Sequence, residues 1–168
     1  MKKTLAILAP LLLCTLAWGQ GNIKDVIGIL RGKSTISCTY SYVMKGDVPI
    51  KDSGKALLFG NKYHTTANGL EIWSDGSTTW TVDKEAKEVY IAPAGENPFS
   101  HPEDFVRKVH NLKYDGKSMS CSIVDKENGV DLQFNANDIV LSPATDDDSL
   151  FTFDTSSLDK SWIVTDLR

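Results

Sequence analysis

The sequence offers little of what catalysis usually needs. It has three histidines and three cysteines in 168 residues, and it lacks a GxSxG elbow, an HExxH pair, a phosphate loop and a dinucleotide fingerprint. His64, His101 and His110 are too scattered along the chain to suggest a metal site. The one acidic run, Asp146-Asp147-Asp148, lacks the alternating ligand spacing of a calcium loop and reads as a solvated turn. No enzyme, metal or cofactor is therefore expected. A hydrolase or isomerase whose carboxylates meet only in the fold would leave no linear motif.

Long apolar runs are confined to one place. Lys2-Lys3, an apolar stretch over 5–17 and the small-x-small triplet Ala17-Trp18-Gly19 make a secretory signal peptide, residues 1–19, cut before Gln20. Cys14 invites a lipidation reading, but Leu13 before it is too large for a lipobox, so it counts as part of the signal. Nothing later approaches the ~18 consecutive apolar residues of a membrane-crossing helix. The two-lysine start points to a bacterial export signal and to the periplasm. Losing Lys2 and Lys3 takes the net charge from −4 to −6. So acidic a chain is a poor ligand for nucleic acid or for an anionic membrane surface.

Residues 20–168 form one expected domain. Cys38 and Cys121 remain after cleavage, each on the apolar side of an alternating run, and a disulfide and two buried thiols explain them equally well. A first short helix is expected over Ile23–Leu30, with Asn22 as its cap and Gly32 as its stop. Strands follow. Residues 34–44 alternate, with Ile36, Cys38, Tyr40, Tyr42 and Met44 on one side, and 45–54 read as a turn-rich connection. Gly60-Asn61, Asn68-Gly69, Asp75-Gly76 and Asn128-Gly129 punctuate an antiparallel meander. A second helix is expected over Pro102–Leu112, with Phe105, Val106, Val109 and Leu112 as its stripe. Strands then resume, including Leu150–Asp154 and a last one over 161–167.

The fold class expected is mainly β with two or more short helices. A long antiparallel sheet twists and curls, here into an unclosed half-barrel with a helical lid over an apolar cavity. Strand parity assigns Tyr40, Tyr42, Leu57, Phe59, Ile72, Trp80, Val82, Leu132 and Phe134 to the cavity lining. The lid residues are Val26, Ile27, Leu30, Phe105, Val109 and Leu112. Trp73 falls out of phase with Leu70 and Ile72 beside the Asp75-Gly76 turn, which places it at a mouth or in a cross-strand aromatic pair.

The order of motifs carries a resemblance. After the export signal come Gly54-Lys55-Ala56-Leu57, then Ser74-Asp75-Gly76-Ser77-Thr78-Thr79-Trp80, Val82-Asp83 and Glu88-Val89-Tyr90. Leu150-Phe151-Thr152-Phe153-Asp154 and a terminal Trp162-Ile163-Val164-Thr165-Asp166-Leu167-Arg168 close the set. This resembles the periplasmic outer-membrane lipoprotein carrier family, LolA, in its Bacteroidetes-type branch. The resemblance implies a monomeric chaperone for acylated lipoproteins. It would shield their acyl chains and carry them from an inner-membrane lipoprotein-releasing transporter to an outer-membrane acceptor. It also implies that Trp80 points inward and Trp73 sits near the opening. The family's lid-locking arginine has no counterpart in Leu58-Phe59-Gly60-Asn61, and the region before Asn128-Gly129 is short for the family. The same half-barrel would also suit a periplasmic binding protein for a free fatty acid, a glycolipid or another lipid.

Overall fold

A computed structural model of the chain describes residues 24–29, 31, 34–67, 69–95, 107–127 and 129–168. The segment expected to be a signal peptide, Ile23 and Leu30 of the first expected helix, and 102–106 of the second, Phe105 among them, lie outside them. Helix α1 occupies 24–29. Ten strands follow: β1 (Ser34–Met44), β2 (Ile50–Phe59), β3 (Lys62–Ala67), β4 (Leu70–Ser74), β5 (Thr78–Asp83), β6 (Glu88–Pro93), β7 (Val109–Tyr114), β8 (Met119–Asp125), β9 (Val130–Pro143) and β10 (Ile163–Asp166). They form one unclosed sheet in the order β10-β6-β5-β4-β3-β2-β1-β9-β8-β7.

Turn length decides which residues share a face. The Gly76-Ser77 turn, with Gly76 at φ +89°, sets Trp73 opposite Trp80 and Ile72 opposite Thr81. Even positions of β4 thus share a face with odd positions of β5. Carried through the ladders, Trp80, Val82, Val89, Ile91, Trp73, His64, Leu57 and Phe59 fall on one face, here the back face. Ile36, Cys38, Tyr40, Tyr42, Leu58, Phe134, Leu132, Met119 and Cys121 fall on the other, the helix face, where Val26 of α1 is buried.

The back face is closed by the C-terminal segment, not by a further strand layer. Residues 144–162 cross it from β2 towards β6. Phe151, 1% exposed, stacks beside Phe59, with ring centres 6.5 Å apart. Phe153 meets Trp73, and Leu158 and Trp162 pack on the cluster of Trp80, Val82, Val89 and Ile91. Leu150–Asp154 is therefore not a strand. Two 3-10 turns, Asp148–Leu150 and Thr155–Ser157, flank 151–154, each opened by an aspartate (Asp147, Asp154) whose carboxylate accepts from the serine N–H two residues on. After this crossing the chain reaches the edge at β6 from the opposite side. β10 consequently runs parallel to β6, an exception to the all-antiparallel expectation.

Two further expectations change. β2 begins at Ile50, so much of 45–54 is strand and not connection. The stretch 109–114 is strand β7, so Val109 and Leu112 are not on a helix. Asn111 has φ +54°, and the β7–β8 register slips by one residue between His110 and Lys113. This bulge puts Val109, Leu112 and Tyr114 on the helix face, so an i, i+3 spacing arises on a strand. Among the described residues one helix lies on the sheet, with residues 107–108 helical just before β7, and they do not form a two-helix lid.

The sheet bends at Gly54. A Cβ there would lie 1.7 Å from the Thr66 carbonyl oxygen, so β3 passes over β2 at a distance only glycine allows. Since position 54 shares the helix face with Tyr40, the bend is towards that face.

Candidate apolar site

The helix face carries a small crevice between α1 and the sheet. Its volume is about 70 Å³, and Val26 and Ile29 of α1 face Ile36, Leu58, Phe134 and Ala136 across it. Cys38, Tyr114, Met119 and Ile139 complete the wall, and none of these groups carries a formal charge when its proton is on. Strand alternation supplies Ile36 and Cys38 directly. Ile139 joins Ala136 on the same face because Asp138, at φ +53°, lies in an irregularity of the β1–β9 ladder.

Electrostatics keep the crevice wall neutral. Burial pushes the Cys121 thiol up to about 11 and raises that of Cys38. Desolvation likewise raises Tyr40, Tyr42 and Tyr114, with the Thr65 hydroxyl pulling Tyr40 back and Asp52 adding to the rise at Tyr42. The Tyr40 phenol donates to the Thr66 carbonyl at 2.8 Å, accepts from Thr65 at 3.2 Å, and its ring stacks 6.2 Å from Phe134. A tyrosine pinned in this way presents only its ring to the face. Both cysteines are free, and β9 lies between their strands, which separates them beyond the reach of a disulfide.

The register divides the nine residues that parity assigned to one cavity. Tyr40, Tyr42, Ile72, Leu132 and Phe134 are on the helix face, whereas Leu57, Phe59, Trp80 and Val82 are on the back face. The error has two sources. Ile72 and Trp80 were placed in phase across a turn that puts them out of phase. In β2, the run Ala56–Phe59 is apolar on both faces, and the residue that lines the crevice is Leu58, not its neighbours. Trp80 is 8% exposed in the back-face core. Trp73 is not at a mouth: it stacks on His64 at 3.6 Å and packs into that same core. Of the lid residues, Val26 and Ile27 are on α1, while Val109 and Leu112 are on β7.

Of the crevice wall, sequence reasoning named only Val26 and Phe134 as site residues; it missed Ile29, Ile36, Cys38, Leu58, Tyr114, Met119, Ala136 and Ile139. Ile29 and Met119 sit in legible patterns; Ile139 was hidden by the irregularity before it.

A second depression, about 390 Å³ and wide open, lies on the back face between Ser37, Thr39, Lys55, Leu57, His64 and Thr66. Asp138 accepts from Thr39 at its rim. Desolvation lowers the His64 imidazole, and its Nε2 and the Trp73 indole nitrogen are buried without a partner among the described residues. Its lining is mixed, with Ala56 and Cys38 completing it, and Cys38 also borders the crevice. Among the described residues, no group of three or more His, Cys, Asp or Glu is placed to hold a metal.

No protein-family model matches the chain, and no curated protein matches it. Among solved structures, it is similar to an uncharacterized conserved protein from Thermus thermophilus, at 6% identity and a TM-score of 0.49, over 88% of this chain and 99% of that one.

Proposed function

We propose that the protein is a periplasmic lipid-binding carrier, which shields the acyl chains of lipoproteins between α1 and the helix face and passes them from an inner-membrane releasing transporter to an outer-membrane acceptor. The observation that carries this reading is the uncharged crevice under α1, on the face towards which an unclosed sheet bends. The order of motifs shared with LolA-type carriers adds the cargo, the compartment and the two partners. At about 0.8 kcal/mol per CH₂, burying an acyl chain of ~16 carbons is worth on the order of 10 kcal/mol.

The crevice of about 70 Å³ is small beside the roughly 300–1,000 Å³ of an ordinary ligand pocket. Loading therefore requires α1 to move off the sheet. The empty form then buries the surface that cargo would cover, so the net affinity stays far below the gross burial energy and release remains feasible.

The small crevice also favours a second reading, in which one free fatty acid or one glycolipid tail is the ligand. Native mass spectrometry of protein purified from the cell separates the two. A lipoprotein or its acylated peptide bound at one to one is expected for the carrier, and a free lipid for the alternative. A protein that takes up no lipid, even when offered it after delipidation, would sink both.

A further inference from the structure

The β1–β2 hairpin ends in a cluster of apolar side chains that no described residue covers. Val48 is 80% exposed and Ile50 53%, and Pro49 between them is exposed too. The cluster stands clear of the sheet for a reason visible in the ladders. β3 pairs with β2 only over Ala56–Phe59 and crosses it at Gly54, so the far end of β2, from Ile50 to Ser53, runs on beyond its neighbour. On its other side the hairpin is held by β9, through the Lys45 N–H bond to the Asp131 carbonyl at 2.8 Å.

The tip is also joined to the crevice. Ile50 pairs with Met44, Met44 with Leu132 and Tyr42 with Phe134, all on the helix face. Apolar side chains thus run from the exposed Ile50 through half-buried Met44, Leu132 and Tyr42 to the wall of the crevice at Phe134, with the Asp52 carboxylate on the same face beside Tyr42. A convex tip of aliphatic groups has no concavity to receive a side chain from a partner. It suits a fluid apolar phase, which needs no shape match. Charge does not direct it to anionic lipid: Lys45 is matched by Asp131 at 3.1 Å, and Asp47 and Asp52 offset Lys51.

We propose that Val48, Pro49 and Ile50 dip into the surface of a lipid bilayer, and that the apolar strip behind them is the path by which an acyl chain passes between bilayer and crevice. The inference rests on the lipid-carrying reading and assigns it an entry point. With two aliphatic side chains and a proline inserted, contact is brief and reversible, as a shuttle between membranes requires. Binding depends weakly on salt and occurs on zwitterionic as well as anionic lipid.

Flotation of the purified protein with phosphatidylcholine vesicles, and with phosphatidylethanolamine–phosphatidylglycerol vesicles, tests this. The expected result is co-flotation on both, which falls at least tenfold in the double variant Val48→Ser with Ile50→Ser. Uptake of a fluorescent fatty acid in solution should stay unchanged in that variant. Substituting the exposed Ile163 and Val164 of β10 by serine serves as the control for exposed apolar residues elsewhere, and should leave flotation at the wild-type level. Two results would overturn the entry point alone: wild-type protein that takes up the fatty acid but never floats, or a tip variant that floats as well as wild type. Loss of self-association in the tip variant would assign the tip to a second copy of the chain instead. A protein that neither floats nor takes up fatty acid would remove the lipid-carrying reading as well.

Discussion

The Tyr40 hydroxyl donates to the Thr66 carbonyl across the bare Cα of Gly54, which joins β1 to β3 over the top of β2. This contact fixes where the sheet turns towards its helix face.

Gly54→Ala should therefore be among the most damaging single substitutions in the chain. The added methyl meets a backbone carbonyl, which cannot rotate away, so a loss on the order of 3 kcal/mol is expected. Tyr40→Phe should cost less, about 1 kcal/mol, for one hydrogen bond removed. Urea unfolding of the two variants checks both values. A Gly54→Ala protein as stable as wild type would mean that β3 does not pass over β2.

The two faces should separate stability from binding. Phe151→Ala empties a site in the back-face core and should destabilise by about 3–5 kcal/mol. Because Phe151 has no contact with the crevice, the folded fraction should bind fatty acid with wild-type affinity. Phe134→Ala, in the crevice wall, should instead weaken fatty-acid binding severalfold. Fluorescence titration of folded protein, with stability measured alongside, distinguishes the pair.

Both thiols should be present and inert. With the Cys121 group near 11, about one thiolate in a thousand molecules exists at pH 8. Iodoacetamide should label neither Cys38 nor Cys121 readily in folded protein at that pH, and both in urea without reductant. A missing pair of thiols in urea would reveal a disulfide and contradict the ladder order.

The Asp166 carboxyl is held down to about 2 by the Arg168 guanidinium and backbone N–H that donate to it. Its folded value lies below that of the unfolded chain, ordinarily near 3.9. Whatever the pair contributes is thus complete above about pH 4 and fades as pH falls towards 2. Carboxylate NMR should give an Asp166 midpoint near 2, and Arg168→Gln should return it towards the ordinary range.

Much of this molecule can be read locally. Alternation along 34–44 and 130–136 marks β1 and the first half of β9 with their correct apolar sides, because side chains of a strand alternate whatever it pairs with. Gly60, Gly69, Gly76 and Gly129 all adopt positive φ at turns that Asn-Gly, Asp-Gly and Gly-Asn dipeptides announce. Val26 and Ile27 lie on a helix as their spacing suggests.

Relations between strands are another matter. Parity says which residues of one strand go together, but the loop between two strands sets their relative phase, and one residue more or less exchanges the faces. That is why Ile72 and Trp80 part company, and why Trp73 joins Trp80 in the core. The bulge at Asn111 made a strand look like a helix, since an inserted residue turns a spacing of two into one of three. The sequence alone determined β1 and the first half of β9 with their apolar sides, and the glycine turns of the meander. The tertiary structure decided the parallel β10, the C-terminal segment across the back face, and which apolar residues meet α1, because each depends on groups far apart in the chain competing for the same surface.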